Sequence, residues 1–468
     1  MANVKYAVFF ATLFVGVPLG YFLSLKYSLA ERIVFFLMMF FTVRMEDINF
    51  VSREAYRLTS RGFEIGMVDI ATIIILLLVI HRKKQYNVHI PPGSYFYFAY
   101  FAFSAISIIN SSVVLFSMFE LWKMVRMYIY FFVVYNYVND FKKFNDFLKG
   151  VAAVTIYIFY EVIKQKYWEG KFQSPGPFPH QNSLVMYTII LGSLMFAYLI
   201  NKKSIPPFKF TLWLLYFSMS AVIIVSSLSR AGIVLFGISI VIILGLSFFS
   251  GVTGKKVWVS MLIIFMSILV FAKAWDSISE RFRTAPEASA NVRKELAIAS
   301  LRMAKDKSLG IGLNNFGIKI NPPYPYSSHI EMNNPDDEDE QNGLVETIYL
   351  MIAAESGWHT LGIFFCFIFY FYFLNLRNYF RYRNTEFHFF SIGMIGGLLA
   401  IYLESTLEWV LKQTNNYYQL MLIFAMIAVM SKLENRYAKN KMQLPQNLSL
   451  KQQRRVDRQQ RLAREASL

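Results

Sequence analysis

One cysteine in 468 residues is too few for any disulfide within the chain. Cys366 lies inside the apolar run Leu361–Leu374, which predicts a small packing residue rather than a redox or metal group. Charge is scarce too, at 16% of residues, against 56% hydrophobic and 18% aromatic, with a mean hydropathy of +0.39. Few soluble globular chains are so apolar, so lipid is the expected solvent. No alternation of apolar and polar residues marks barrel strands, and lipid otherwise tolerates only helices. No internal repeat stands out. The stretch Met1–Leu25 lacks a small-residue cleavage site and runs directly into Lys26, which predicts a retained first helix.

What is present is a series of apolar runs, each about long enough to cross roughly 30 Å of hydrocarbon as a helix. They lie near Tyr6–Leu25, Gly66–Ile80, Tyr95–Ile109, Leu121–Val138, Phe147–Ile163, Ser183–Ile200, Thr211–Ser227 and Ala231–Phe249, then near Val257–Phe271, Trp358–Leu374, Phe387–Leu403 and Tyr417–Met430. The predicted fold is an all-α polytopic transmembrane bundle of about twelve spanning helices. The apolar core of Ile33–Val43 is short for a span and reads as an interfacial or re-entrant helix, which keeps both termini on one side. A true span there would put the N-terminus outside.

The formal net charge of +17 does not require nucleic acid. Arg82, Lys83 and Lys84; Lys142 and Lys143; Lys202, Lys203 and Lys209; Lys255 and Lys256; and Arg377, Arg381 and Arg383 all fall on one face when the spans alternate. That is the distribution of cytoplasmic loops. Residues 1–431 then form the transmembrane domain, and 432–468 a basic, Gln-rich cytoplasmic tail able to touch anionic lipid. The same alternation puts Tyr167–Asn182, the turn Ser226–Arg230 and the long stretch 274–357 on the other face. A loop of that length usually has a function of its own. It carries a helical stripe in Val292, Leu296, Ala299 and Met303 with Arg293 and Arg302 beside it.

Arg230 sits in Ser-Ser-Leu-Ser-Arg-Ala-Gly between two apolar runs, where a guanidinium must find water or an anion such as phosphate. An arginine snorkelling to the interface is the structural alternative. With Gly-Pro-Phe-Pro-His-Gln-Asn (176–182), Arg293, Gly-Ile-Gly-Leu-Asn-Asn-Phe (310–316) and Ile-Tyr-Leu-Met-Ile-Ala-Ala-Glu-Ser-Gly (348–357), the ordered set from about Phe172 to Gly362 resembles the O-antigen ligase and polymerase family. The resemblance implies a multi-pass enzyme of the bacterial inner membrane, independent of metal and cofactor. Such an enzyme moves a glycan from an undecaprenyl-pyrophosphate carrier to a hydroxyl on lipid A core, a glycan or a protein at the periplasmic face. It also implies that Arg230 and Arg293 hold the pyrophosphate, with Arg302 as a weaker substitute, and that His180 and Asn182 line the pocket. Fixed guanidinium groups suit a diphosphate leaving group.

The chain departs from the family in two places. Gln181 replaces a proline, and Glu346-Thr347 stand where family ligases carry a histidine. A carboxylate can accept the acceptor hydroxyl's proton, so Glu346 is the candidate base. An ordinary first-turn helix carboxylate is the alternative. On a helix over Leu344–Ser356, Tyr349 lies one turn beyond Glu346 and shares its face, while Glu355 points away. Glu404 and Glu408 either line the cavity or pair with Lys412. Gly310, Gly312 and Gly317 lack dinucleotide-site spacing and read as turn glycines. The acidic run Asp336–Glu340 lacks calcium-loop spacing and reads as a solvated loop. Two readings compete with the ligase: a repeat-unit polymerase of the same family, and a lipid-linked sugar transporter or flippase. The second needs paired charges at mid-bilayer depth, and Glu120, Lys123 and Glu161 sit near span ends.

Overall fold

A computed structural model describes residues 2–52, 58–202, 204–283, 287–330, 342–383 and 385–442. The acidic run at 336–340 and residues 443–468 of the tail lie outside the described residues. The chain begins with α1 (Ala2–Ala11), which passes through a π-helical turn at Thr12–Gly16 into α2 (Val17–Lys26). Then come α3 (Ser28–Phe40), a hairpin of β1 (Asp47–Ser52) and β2 (Gly62–Gly66), α4 (Met67–His81), the short α5 (Lys83–Tyr86), α6 (Ser94–Ile106), α7 (Val114–Tyr137) and α8 (Phe141–Ile163). A second half follows: α9 (Gln181–Asn201), α10 (Pro207–Ser227), α11 (Arg230–Phe249), α12 (Gly254–Arg283), α13 (Glu287–Asp306), α14 (Phe316–Lys319), α15 (Ile348–Arg381), α16 (His388–Glu404) and α17 (Thr414–Met442).

Among the described residues six helices are long and apolar enough to cross a bilayer: Tyr6–Lys26, Gln181–Asn201, Pro207–Ser227, Arg230–Phe249, Ile348–Arg381 and Thr414–Leu433. α4 and α16 are apolar but shorter. The protein is therefore a helical membrane protein, as the apolar runs predict. α9 is its axis, with all of its apolar window buried against α8, α10, α11, α16 and α17. Gly232 on α11 lets that helix close on α9, since a Cβ there would sit 2.1 Å from Val185 Cγ1.

Two ends of the bundle can be told apart by what gathers there. At the basic end Arg82 donates to the Leu25 carbonyl at 3.0 Å and pairs with Glu31 at 3.0 Å, and Lys143 reaches the same carboxylate at 3.3 Å. At the other, the hairpin end, Tyr6 Oη donates to the Asn49 carbonyl at 3.1 Å. These ties correct the expectation of an interfacial or re-entrant Ile33–Val43. α3 starts at the basic end, ends at the hairpin, and packs along its length on α2, α4 and α8 with Phe35, Met38 and Met39 buried. One face of α3 is buried on these helices, while Leu29 and Ile33 are exposed on the other. The N-terminus accordingly lies at the hairpin end. A second correction concerns Cys366, which is exposed on the outer face of α15 rather than packed inside.

Candidate active site

Three loop regions and one helix meet at the hairpin end, and each is fixed by its local sequence. His180 caps α9, its Nδ1 accepting the Asn182 backbone N–H at 3.3 Å. At the α10–α11 turn Leu228 takes a left-handed conformation (φ 54°), and Ser229 caps α11 by accepting from Gly232 N–H at 3.4 Å. This cap makes Arg230 the first residue of the helix, beside its unpaired backbone donors. Thr347 Oγ1 and Ile348 N both donate to the Ser405 carbonyl at 3.3 Å, tying the start of α15 to the turn after α16. That tie sets Glu346 near Glu408.

α13 supplies the fourth side. Leu296, Ala299 and Met303 are buried against Met351, Ala354 and Phe316, while Val292, the first residue of the expected stripe, is half exposed. Burying Leu296 and Met303 contributes roughly 1.5–3 kcal/mol each and fixes the rotation of the helix. The platform beneath is α15, broken at Gly357 (φ 86°, ψ 164°). The break strands the carbonyls of Ala354 and Glu355, and these accept the N–H groups of Ile311 and Gly312 at 2.8 and 3.0 Å. Gly310 has φ 78°, and a Cβ there would meet the Glu355 carbonyl oxygen at 2.3 Å. The turn glycines of the sequence thus dock the long loop onto α15.

These elements enclose a cavity of about 310 Å³ lined by His180, Asn182, Arg230, Arg293, Glu346 and Glu408, with Gln173 and Ser229 at its edge. Arg293 Nε contacts Glu346 Oε2, and its Nη2 lies 3.4 Å from Glu408 Oε1. Asn182 Nδ2 donates to the same oxygen of Glu408. Arg230 has no carboxylate within 4 Å among the described residues, so its charge is available to a ligand. Burial raises the proton affinity of Glu346, and Arg293 partly opposes it. Glu408 is pushed up to about 8 by burial and by the charge of Glu346, against Arg293 and Asn182. His180 is held below its usual range by burial and by Arg293, so its ring is neutral at pH 7. Among the described residues no three His, Cys, Asp or Glu side chains gather as a metal site.

Residues 214–365 match the O-antigen ligase family model. The chain carries an O-antigen ligase domain. The matched stretch contains Arg230, Arg293 and Glu346, and it marks a membrane enzyme of the glycosyltransferase type that handles lipid-linked glycans. His180, Asn182 and Glu408 complete the cavity from outside it. A comparison with curated proteins gives no match.

Five of the seven residues singled out from the sequence thus line one cavity, and two do not. Arg302 is nine residues beyond Arg293, about two and a half helical turns, and so on the opposite side of α13. There its Nη1 lies 2.9 Å from His329 Nδ1. Tyr349 points away as well, donating to the Tyr402 carbonyl at 2.8 Å. The shared-face argument fails because α15 begins at Ile348, which leaves Glu346 in the preceding extended segment. Of the two readings left open for Glu408, lining the cavity is the one the structure shows. α16 ends at Glu404, so Glu408 lies in the turn beyond and faces the cavity, while Lys412 pairs with Glu355 and Glu120 instead.

Proposed function

We propose that this cavity transfers a glycan from an undecaprenyl-pyrophosphate carrier to an acceptor hydroxyl at the periplasmic face of the bacterial inner membrane. The observation that carries this reading is the meeting of two guanidinium groups and two carboxylates from four separate segments of the chain. Arg230, unpaired, is the first anchor for a diphosphate. Arg293 is shared with Glu346 and Glu408 until the donor arrives, and its turn toward the diphosphate frees Glu346.

In the transfer step Glu346 takes the acceptor's O–H proton and the acceptor oxygen bonds to the anomeric carbon. The anomeric C–O bond to phosphate breaks, and the diphosphate leaves with the electron pair, stabilised by Arg230 and Arg293. Attack opposite the leaving group inverts the anomeric centre. Asn182 keeps Glu408 in place behind Arg293. The basic end of the bundle fits the cytoplasmic side, which leaves the cavity outside. The acceptor, whether lipid A core, a second lipid-linked glycan or a protein, is distinguished by offering each with the same donor.

The test is transfer from a polyprenyl-pyrophosphate-linked glycan by the full chain in membranes. Glu346→Gln is expected to slow it by roughly 10²–10⁴-fold, the usual contribution of a general base. Transfer at the wild-type rate would remove Glu346 from the reaction.

A further inference from the structure

A cleft at the basic end lies between α8 and α10 and has a volume of about 540 Å³. Its chemistry changes along the helix axes. The outer rim carries Lys149, Lys202 and Lys209 against a single acid, Glu386, 3.4 Å from Lys202. Asp146 does not offset Lys149: it is 3.4 Å away and already gripped by Arg32 through two bonds of 2.6 and 2.8 Å. Lys209 has no ion pair among the described residues. The rim therefore holds surplus positive charge.

One step deeper, Trp213 stacks on Tyr198 with ring centroids 4.1 Å apart, and Lys202 Nζ is 5.6 Å from the Tyr198 ring. Paired aromatics beside lysines mark the depth of lipid headgroups. Below them the lining is aliphatic. Ala152 and Ala153 leave a trough on α8 that continues to Ile156, roughly 16 Å from Asn145 at the rim. The trough opens outward at Ile156, which is 43% exposed. A free anion would satisfy the lysines and leave the trough empty, whereas a neutral lipid would fill the trough and leave the lysines unmatched.

We propose that this cleft binds one anionic phospholipid, with its phosphate against Lys202 and Lys209 and one acyl chain lying over Ala152 and Ala153. The site is separate from the transfer cavity and does not depend on the reading given to it.

Native mass spectrometry of the full chain in neutral detergent, with phosphatidylglycerol and phosphatidylcholine of the same acyl chains, tests it. The wild type is expected to retain phosphatidylglycerol severalfold over phosphatidylcholine. Lys149→Gln with Lys209→Gln, both exposed, should bring the ratio close to one without shifting the unfolding midpoint. Ala153→Phe should reduce retention of both lipids. Equal retention by the wild type overturns the proposal, as does a preference that survives the double substitution. So does a preference lost instead through Arg377→Gln, which lines a different basic-end cavity, and so does unchanged retention by Ala153→Phe.

Discussion

The hairpin end holds two groups of opposite charges built from nearly the same stretches of chain. In the transfer cavity Arg293 stands between Glu346 and Glu408 with side-chain exposures of 41%, 32% and 10%. In the second group Lys123 is 2.7 Å from Glu120, and Lys412 is 3.0 Å from Glu355 and 3.7 Å from Glu120, all at most 5% exposed. α15 and its lead-in supply one carboxylate to each, Glu346 and Glu355, and the turn after α16 supplies Glu408 to one and Lys412 to the other. The closed group is balanced at two against two and further satisfied by Thr59 and Phe316. The open group has a spare cation in Arg230 and solvent access. Balance and access, rather than residue type, separate the brace from the proposed reaction site.

The largest effect should come from unbalancing the brace. Lys412→Met leaves Glu120 and Glu355 with one cation in a water-free setting, which costs about 3–5 kcal/mol. The unfolding midpoint in detergent should fall accordingly, and Glu355→Gln added to Lys412→Met should recover part of it. A wild-type midpoint would mean that the brace is decorative. Arg230→Ala is expected to behave in the opposite way, with an unchanged midpoint and transfer slowed about 10²–10³-fold. Arg230→Lys should restore only part of the rate, because an ammonium cannot grip two phosphate oxygens as a planar fork does. A lower midpoint in Arg230→Ala would make it a second brace.

Where the sequence was informative follows from the same physics. Apolar runs and basic clusters report lipid and its two faces directly, so the helical membrane fold and the grouping of Lys and Arg at one end were legible. So was the meeting of His180, Asn182, Arg230, Arg293 and Glu346, because four of them sit in motifs at turns or helix starts and Arg293 lies beside the apolar stripe of α13. α3 was not legible as a helix running from the basic end to the hairpin, since its 13 residues are fewer than a spanning run needs. Nor was the helix start at Ile348, because it is set by the tie of Thr347 and Ile348 to Ser405 rather than by local pattern. The four-residue shift from Leu344 to Ile348 is what misplaces Tyr349.

The smaller predictions sharpen the open group. Glu408 is neutral below about pH 8 and charged above it. Its ionised form competes with the diphosphate for Arg293, so the apparent KM for donor should rise as pH passes through about 8. Glu408→Gln, which stays neutral, should abolish that rise while leaving KM below it close to the wild type. A KM that climbs identically in both would place the titrating group elsewhere.

Arg302→Ala should do least, and that small effect is informative. Arg293 and Arg302 share a helix and a side-chain type, and differ by the half-turn that leaves one in the cavity and the other beside His329. Exposed contacts of that kind change stability by about 0.5 kcal/mol or less, and transfer should stay within roughly twofold of the wild type, a barrier change of about 0.4 kcal/mol. A loss matching that of Arg293→Ala would require α13 to rotate when the donor binds, because no fixed orientation of one helix can bring both guanidinium groups to the same phosphate.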